Sequence, residues 1–320
     1  MPLLKEKSIP KLTENTFQTM EEYSAVISHL KLQGQQLSKG YFNGTSSTLS
    51  ADNFQIGIRT AEVKHLQAGQ IDSGNIGMIF PMQGSNYIHN GRIQYNDTQI
   101  IAYDNSESTV IFPKNHKHLV LFFNSEKLND YLTEKEIEFF MNACRHLACN
   151  KISISHKKIL MQHLYILYEN FQNLSNQPYN LLAYEGCYEA LFYALNEYHL
   201  FHTKIDSIKI NNKERLLSRA LEFIHCSDLK TLTVSSLIKG IYSSSRSVQY
   251  CFSDLLGITA KKYIVIMRLN IIRKKLLATS PIGKTITQVA SEFGVVNMRR
   301  FKQDYENFFN ESPRQTLNKI

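Results

Sequence analysis

Toward the end of the chain, apolar and polar positions follow a helical period. Ile286, Val289, Ala290 and Phe293 fall at i, i+3, i+4 and i+7, which predicts one buried face of a short helix. Gly294 follows, a residue that ends helices because it takes φ > 0 without strain. Asn297 is placed to cap a second helix whose buried stripe is Phe301, Tyr305 and Phe308. Two short helices around a tight turn predict a helix-turn-helix. The pattern occurs twice. Thr233, Val234, Leu237, Ile238 and Ile241 precede Thr285, Ile286, Val289, Ala290 and Phe293 by 52 positions. Val248, Phe252 and Leu255 precede Phe301, Tyr305 and Phe308 by 53, so the second turn holds one extra residue. An internal repeat of this kind predicts two helix-turn-helix units, about residues 233–254 and 285–308. Leu216, Leu217, Ala220, Leu221 and Ile224 form the face of a helix in front of them.

Between the units run about 20 residues without Gly or Pro, with Thr259 as a cap before them and Pro281 after. As one helix they span roughly 30 Å at 1.5 Å per residue. Major grooves on one face of B-DNA recur every ~34 Å. A rod of this length can therefore set two recognition helices in successive grooves.

Upstream the period changes to two. Phe54, Ile56 and Ile58 alternate with polar residues, as in a half-buried strand. Residues 77–82 are an apolar run with a proline breaker near the end, and residues 87–95 centre on Asn90-Gly91, a two-residue hairpin signal. Residues 109–113 and 118–123 read as two further strands. Many short strands with turn signals predict a sandwich or barrel. Residues 1–50 are weakly patterned, and 17–32 fits a helix or a strand equally.

From about Ser125 the pattern turns helical. Leu160, Leu164, Leu167, Phe171 and Leu174 are spaced 4, 3, 4, 3, a seam of two heptads that suits either a dimer contact or packing against the barrel. A further helix is expected over 179–198. The polar stretch 204–213 reads as a linker, which divides the chain into 1–203, 204–213 and 214–320.

Charge sharpens this division. Residues 206–320 hold 19 Lys+Arg against 9 Asp+Glu, net +10, whereas residues 1–205 are net −2. Such asymmetry points to a polyanion as partner of the C-terminal part. No apolar run approaches the roughly 18 residues of a membrane span, and the first residues lack the apolar core of a signal peptide. Five cysteines without C-x-x-C spacing read as free thiols, in keeping with a cytoplasmic protein.

Ile286, Val289, Ala290, Gly294, Val295, Asn297, Phe301, Tyr305, Ser312 and Pro313 together resemble the second helix-turn-helix of the AraC/XylS family of transcription regulators. Asn310 stands where that pattern has Gly, and in the first unit Tyr242 stands near the turn glycine, with Ile238 at a usually small position. The resemblance covers about residues 212–320. It implies an α+β fold class: an N-terminal cupin-like barrel or jelly roll with trailing helices, then an all-α domain of two helix-turn-helix units joined by a long helix. It implies a DNA-binding regulator, more often an activator, with promoter DNA and RNA polymerase as partners and a homodimer or a small-molecule effector as candidates.

The outward residues of the first recognition helix are Ser245, Arg246, Ser247, Gln249 and Tyr250, after Ser244 as cap. Those of the second are Met298, Arg299, Arg300, Lys302 and Gln303, and together with Asn297 at its start they are that helix's candidates for DNA contact. Arg suits guanine and Gln suits adenine edges in the major groove. Lys261, Lys262 and Arg268 on the rod are candidates for phosphate contact, and the resemblance favours a structural or backbone-contacting role for Arg268. His89, His116 and His118 raise the alternative of a metal-dependent cupin enzyme with a DNA-tethering tail. The glutamate such a motif needs after His118 is absent, so no metal and no cofactor is expected.

Overall fold

The structure is a computed structural model that describes residues 11–26, 32–51, 54–84, 86–94, 100–103, 107–124, 133–135, 137–138, 154–175, 211–278 and 283–319. Its N-terminal part is two antiparallel sheets. β1 (Lys11–Phe17) is followed by helix α1 (Met20–Ala25), β2 (Gln33–Gln36), β3 (Gly44–Ala51), β4 (Phe54–Ala61) and β5 (His65–Gln70). Then come β6 (Asn75–Gln83), β7 (Tyr87–His89), β8 (Arg92–Gln94), β9 (Ile100–Tyr103), β10 (Glu107–Phe112) and β11 (His116–Asn124). One sheet has the order β1-β3-β4-β11-β6-β9 and the other β2-β5-β10-β7-β8. β4, β6 and β11 face β5 and β10 across a small cavity.

The hairpin at Asn90-Gly91 forms as expected, with φ of 47° and 80°, the pair of left-handed residues a type I′ turn needs. Gly91 also lies so close to the helix at Ser218 that a Cβ would come within 2.5 Å of the Ser218 Cα. The apolar run of residues 77–82 does not stop at its proline. β6 continues through Pro81, because the ladder with β11 slips there: Lys117 pairs with Gln83 and His118 with Pro81. A bulge is where a strand accommodates a residue with no N–H to donate. Within the undecided stretch 17–32, Met20–Ala25 is a helix, started by the Thr19 side chain accepting from the Glu22 N–H.

Helix α2 (Ile154–Ser175) lies against β1 and β3. Leu164 is fully buried, and the Tyr168 hydroxyl is 2.6 Å from that of Ser47. At this position the heptad seam is used inside the chain. The side chains of Leu160, Leu167, Phe171 and Leu174 lie outside the described residues, as do the helix expected over 179–198 and linker positions 204–210.

The C-terminal part is all helical: α3 (Asn212–Cys226), α4 (Val234–Gly240), α5 (Ser245–Leu256), α6 (Ala260–Leu277), α7 (Ile286–Glu292), α8 (Met298–Phe309) and α9 (Pro313–Leu317). α6 has 18 residues, so it spans about 27 Å. Apart from lysines near its two ends, it is buried around most of its circumference, through Tyr263, Ile266, Met267, Leu269, Ile272 and Leu276 among others. That explains the absence of a one-sided stripe in its sequence: it packs against both helix-turn-helix units and against β2. One apolar cluster runs from these helices into Leu37, Leu66, Ile88 and Ile111 of the small sheet.

Candidate nucleic-acid interface

The two heads are built by the same local rules. Thr233 and Thr285 each accept a hydrogen bond from the N–H three residues on, and each is closed by a reciprocal capping box, with Ser236 and Gln288 respectively. Tyr242 and Gly294 are the left-handed turn residues, with φ of 50° and 76°. Ser244 and Asn297 then cap the second helices, accepting from the Ser247 and Arg300 N–H groups at 3.0 and 2.9 Å. The first two equivalences are 52 apart and the third is 53, so the extra residue of the second unit lies between Gly294 and Asn297.

The duplication continues past the recognition helices. Gly257 and Asn310 both take the left-handed cap conformation that ends α5 and α8, with φ of 71° and 56°. Thr259 caps α6 as Ser312 caps α9. The second half of α6 also stands, 52 residues on, where α3 stands in the first unit: Leu217, Ala220 and Ile224 correspond to Leu269, Ile272 and Leu276, and all six are buried. The rod thus begins as the exit of one head and ends as the first helix of the other.

On the resulting surface, Ser245, Arg246, Ser247 and Gln249 of α5 are exposed, as are Arg299, Arg300, Lys302 and Gln303 of α8. Arg246 and Arg299 occupy equivalent positions. Tyr250 is exposed but engaged: the Lys213 ammonium lies 4.3 Å from its ring centroid and reaches Asp254 at 2.8 Å. Arg300 pairs with Asp304 one turn on, at 3.6 Å. Met298 is half buried against the apolar cluster, and the Asn297 side chain is taken up by its capping bond. These two shape the start of α8.

Lys261 and Lys262 are exposed at the N-terminal end of the rod. Arg268 is engaged within the chain. Its Nε and Nη2 donate to the carbonyls of Leu229 and Leu232, both at 2.7 Å, which ties down the loop between α3 and α4. Its charge thereby satisfies main-chain acceptors that no helix can satisfy.

The N-terminal sheets grip both heads at the far ends of the recognition helices. The Lys64 ammonium donates to the Leu256 carbonyl at the end of α5, at 2.8 Å. The Gly40 N–H donates to Phe308 and the Tyr41 hydroxyl to Asn310, at 3.0 and 2.7 Å, at the end of α8. Glu214 of α3 caps its own helix and accepts from the Ile93 N–H of β8. Arg273 on α6 pairs with Glu311 and lies 3.9 Å from Glu21 of α1. Sequence patterns carry no signal for these contacts, which join residues up to 269 positions apart.

The histidines lie elsewhere. His65, His116 and His118 stack inside the sandwich, with ring centroids 5.0 and 5.1 Å apart in sequence order. Burial pushes His116 down to about 4, and burial together with the neighbouring imidazole and cationic groups holds His65 and His118 well below the usual imidazole range, so all three are neutral at pH 7. No cluster of metal-binding side chains occurs among the described residues.

A protein-family profile described as "Helix-turn-helix domain" matches residues 239–319. The chain is 29% identical over 101 residues to the "Probable thc operon regulatory protein" of Rhodococcus erythropolis. It is 30% identical over 99 residues to the "XylDLEGF operon transcriptional activator" of Pseudomonas putida. These matches take in 32% and 31% of this chain and span only 30% and 31% of those relatives. Among solved structures, a transcriptional regulator with an AraC-type DNA-binding domain from Chromobacterium violaceum is 27% identical, with a TM-score of 0.31, over 33% of this chain and 91% of that one. The AraC-like transcriptional activator CuxR is 11% identical, with a TM-score of 0.38, over 87% of this chain and 100% of that one.

Proposed function

We propose that this chain, whose C-terminal region is an AraC/XylS-type helix-turn-helix domain, is a sequence-specific transcription activator. It lays α5 and α8 in successive major grooves on one face of promoter DNA. The observation that carries this reading is the duplication of the heads around a shared rod. Caps, left-handed turns and the exposed arginines Arg246 and Arg299 recur in register, as two readers of one ligand require. The +10 charge of residues 206–320 supplies the phosphate attraction. The exposed Arg and Gln side chains supply contacts to base edges. Both curated relatives carry operon-regulator names, which supports the same direction.

In this reading the N-terminal sheets hold the two heads in a fixed relation and change it when a small-molecule effector binds. The protein works in the cytoplasm beside RNA polymerase, as a monomer or a homodimer. The deciding experiment is footprinting of the native protein on DNA fragments selected by genome-wide mapping. Two protected major-groove segments about one helical turn apart on one face are expected. Protection of a single groove, or none, overturns the proposal.

A further inference from the structure

Among the described residues, Arg59 is the largest side chain with almost no exposure, at 1%. It projects from β4 between the two sheets. Nη2 donates to the Tyr23 carbonyl at 2.5 Å, and the guanidinium lies 3.9 Å from the centre of the Tyr23 ring. Its Nε has no partner. Among the described residues, no carboxylate forms an ion pair with it. Burying a cation without an anion is costly, and proteins do so where a ligand or partner completes the pair.

Two more orphaned groups face the same space. Gln67 Nε2 and His118 Nδ1 are buried and unbonded, and with Arg59 they line a cavity of about 50 Å³ between the sheets. The three groups share one property. Arg59 Nε and Gln67 Nε2 are donors only, and neutral His118 donates from Nδ1 in one of its two tautomers. The rest of the wall is mostly apolar: Ile71, Ile79, Val110, Phe112, Val120 and Phe122. The cavity is roomy enough for a few waters, but water leaves the Arg59 charge uncompensated.

We propose that this cavity is a binding site for a small carboxylate with an apolar body, its oxygens held by Arg59, Gln67 and His118 and its carbons by the aliphatic wall. The inference rests on the reading of the N-terminal sheets as the effector-receiving part and names the chemical class that they accept. A neutral sugar or amide fits poorly, because it brings donors to a site that already has them and no charge for Arg59.

The test is calorimetric titration of the full chain, without DNA, with sodium butyrate and with butyramide at constant ionic strength. Butyrate is expected to bind at least tenfold more tightly. Gln67→Leu, which leaves the buried charge in place, is expected to weaken butyrate about tenfold, and Arg59→Met to abolish the preference for the carboxylate. Equal or absent binding of the two probes by the native chain overturns the proposal. So does butyrate binding that neither substitution alters, since the site is then elsewhere. Fluorescence anisotropy with promoter DNA, read on the same samples, bears only on the regulator reading, so the two failures are told apart.

Discussion

The side-chain amide of Asn270, in the middle of the rod, forms two hydrogen bonds with the main chain of Gln36. The Gln36 N–H donates to Oδ1 and the Asn270 Nδ2 donates to the Gln36 carbonyl, both at 2.8 Å and both buried. Gln36 ends β2, the edge strand of the smaller sheet. Asn270 does there what a neighbouring strand would do, and so joins the edge of the sheet to the helix shared by both heads.

Replacing Asn270 with Ala leaves the Gln36 N–H and C=O buried without partners. Each unsatisfied group costs about 1–3 kcal/mol. Asn270→Ala is expected to destabilise the chain by about 2 kcal/mol or more in urea, and to split one unfolding transition into two as the sheets separate from the helices. An unchanged single transition would show that the docking does not depend on this pair.

Arg246→Ala and Arg299→Ala are expected to weaken promoter binding by roughly 1–3 kcal/mol each while leaving the circular dichroism spectrum intact. Arg268→Ala behaves in the opposite way. It removes the donors to Leu229 and Leu232, so thermal stability falls first and DNA affinity only as a consequence. Anisotropy titrations and melting curves on the three variants check the distinction.

Tyr242 and Gly294 hold the same turn position with different ease. A non-glycine residue at φ 50° carries strain of about 1 kcal/mol, and Tyr242 is exposed, so Tyr242→Gly is expected to stabilise the fold by about that much. At Gly294 a Cβ would meet the Lys230 carbonyl oxygen at 2.5 Å. Gly294→Ala is expected to cost about 2 kcal/mol or more, from that overlap and from its φ of 76°. Denaturant midpoints of the two variants should move in opposite directions.

His116 sets a pH dependence. Its folded value of about 4 lies below the ~6.5 of an unfolded chain. Between these values the unfolded state binds more protons, so stability is full above pH 6.5 and falls on acidification toward pH 4. The loss is roughly 1.4 kcal/mol from this one residue at pH 5.5. His65 and His118, pushed down in the same direction, add to it. Urea midpoints at pH 7.5 and 5.5 test this, and His116→Gln should reduce the difference.

The two heads were legible because their information is local. Caps, a turn residue and a 3.6-residue period lie within 24 positions of one another, and each of Ser244, Thr259 and Asn297 caps the helix expected of it. The strands with strict alternation or an Asn-Gly turn were legible for the same reason. β1, β2, β3 and β5 were not, because much of their sequence is polar side chains and glycine, and they are strands only through partners far along the chain.

What the amino-acid order determined alone was the repeat, its helix boundaries and its one-sided charge, all properties of short windows read through periodicity and capping. Tertiary structure decided the rest. It turned Arg268 inward to main-chain carbonyls, set Lys64 and Tyr41 against the ends of both recognition helices, and enclosed Arg59 between two sheets. The physical reason is that burial and hydrogen-bond satisfaction depend on which distant groups fold into contact, and no local period encodes that.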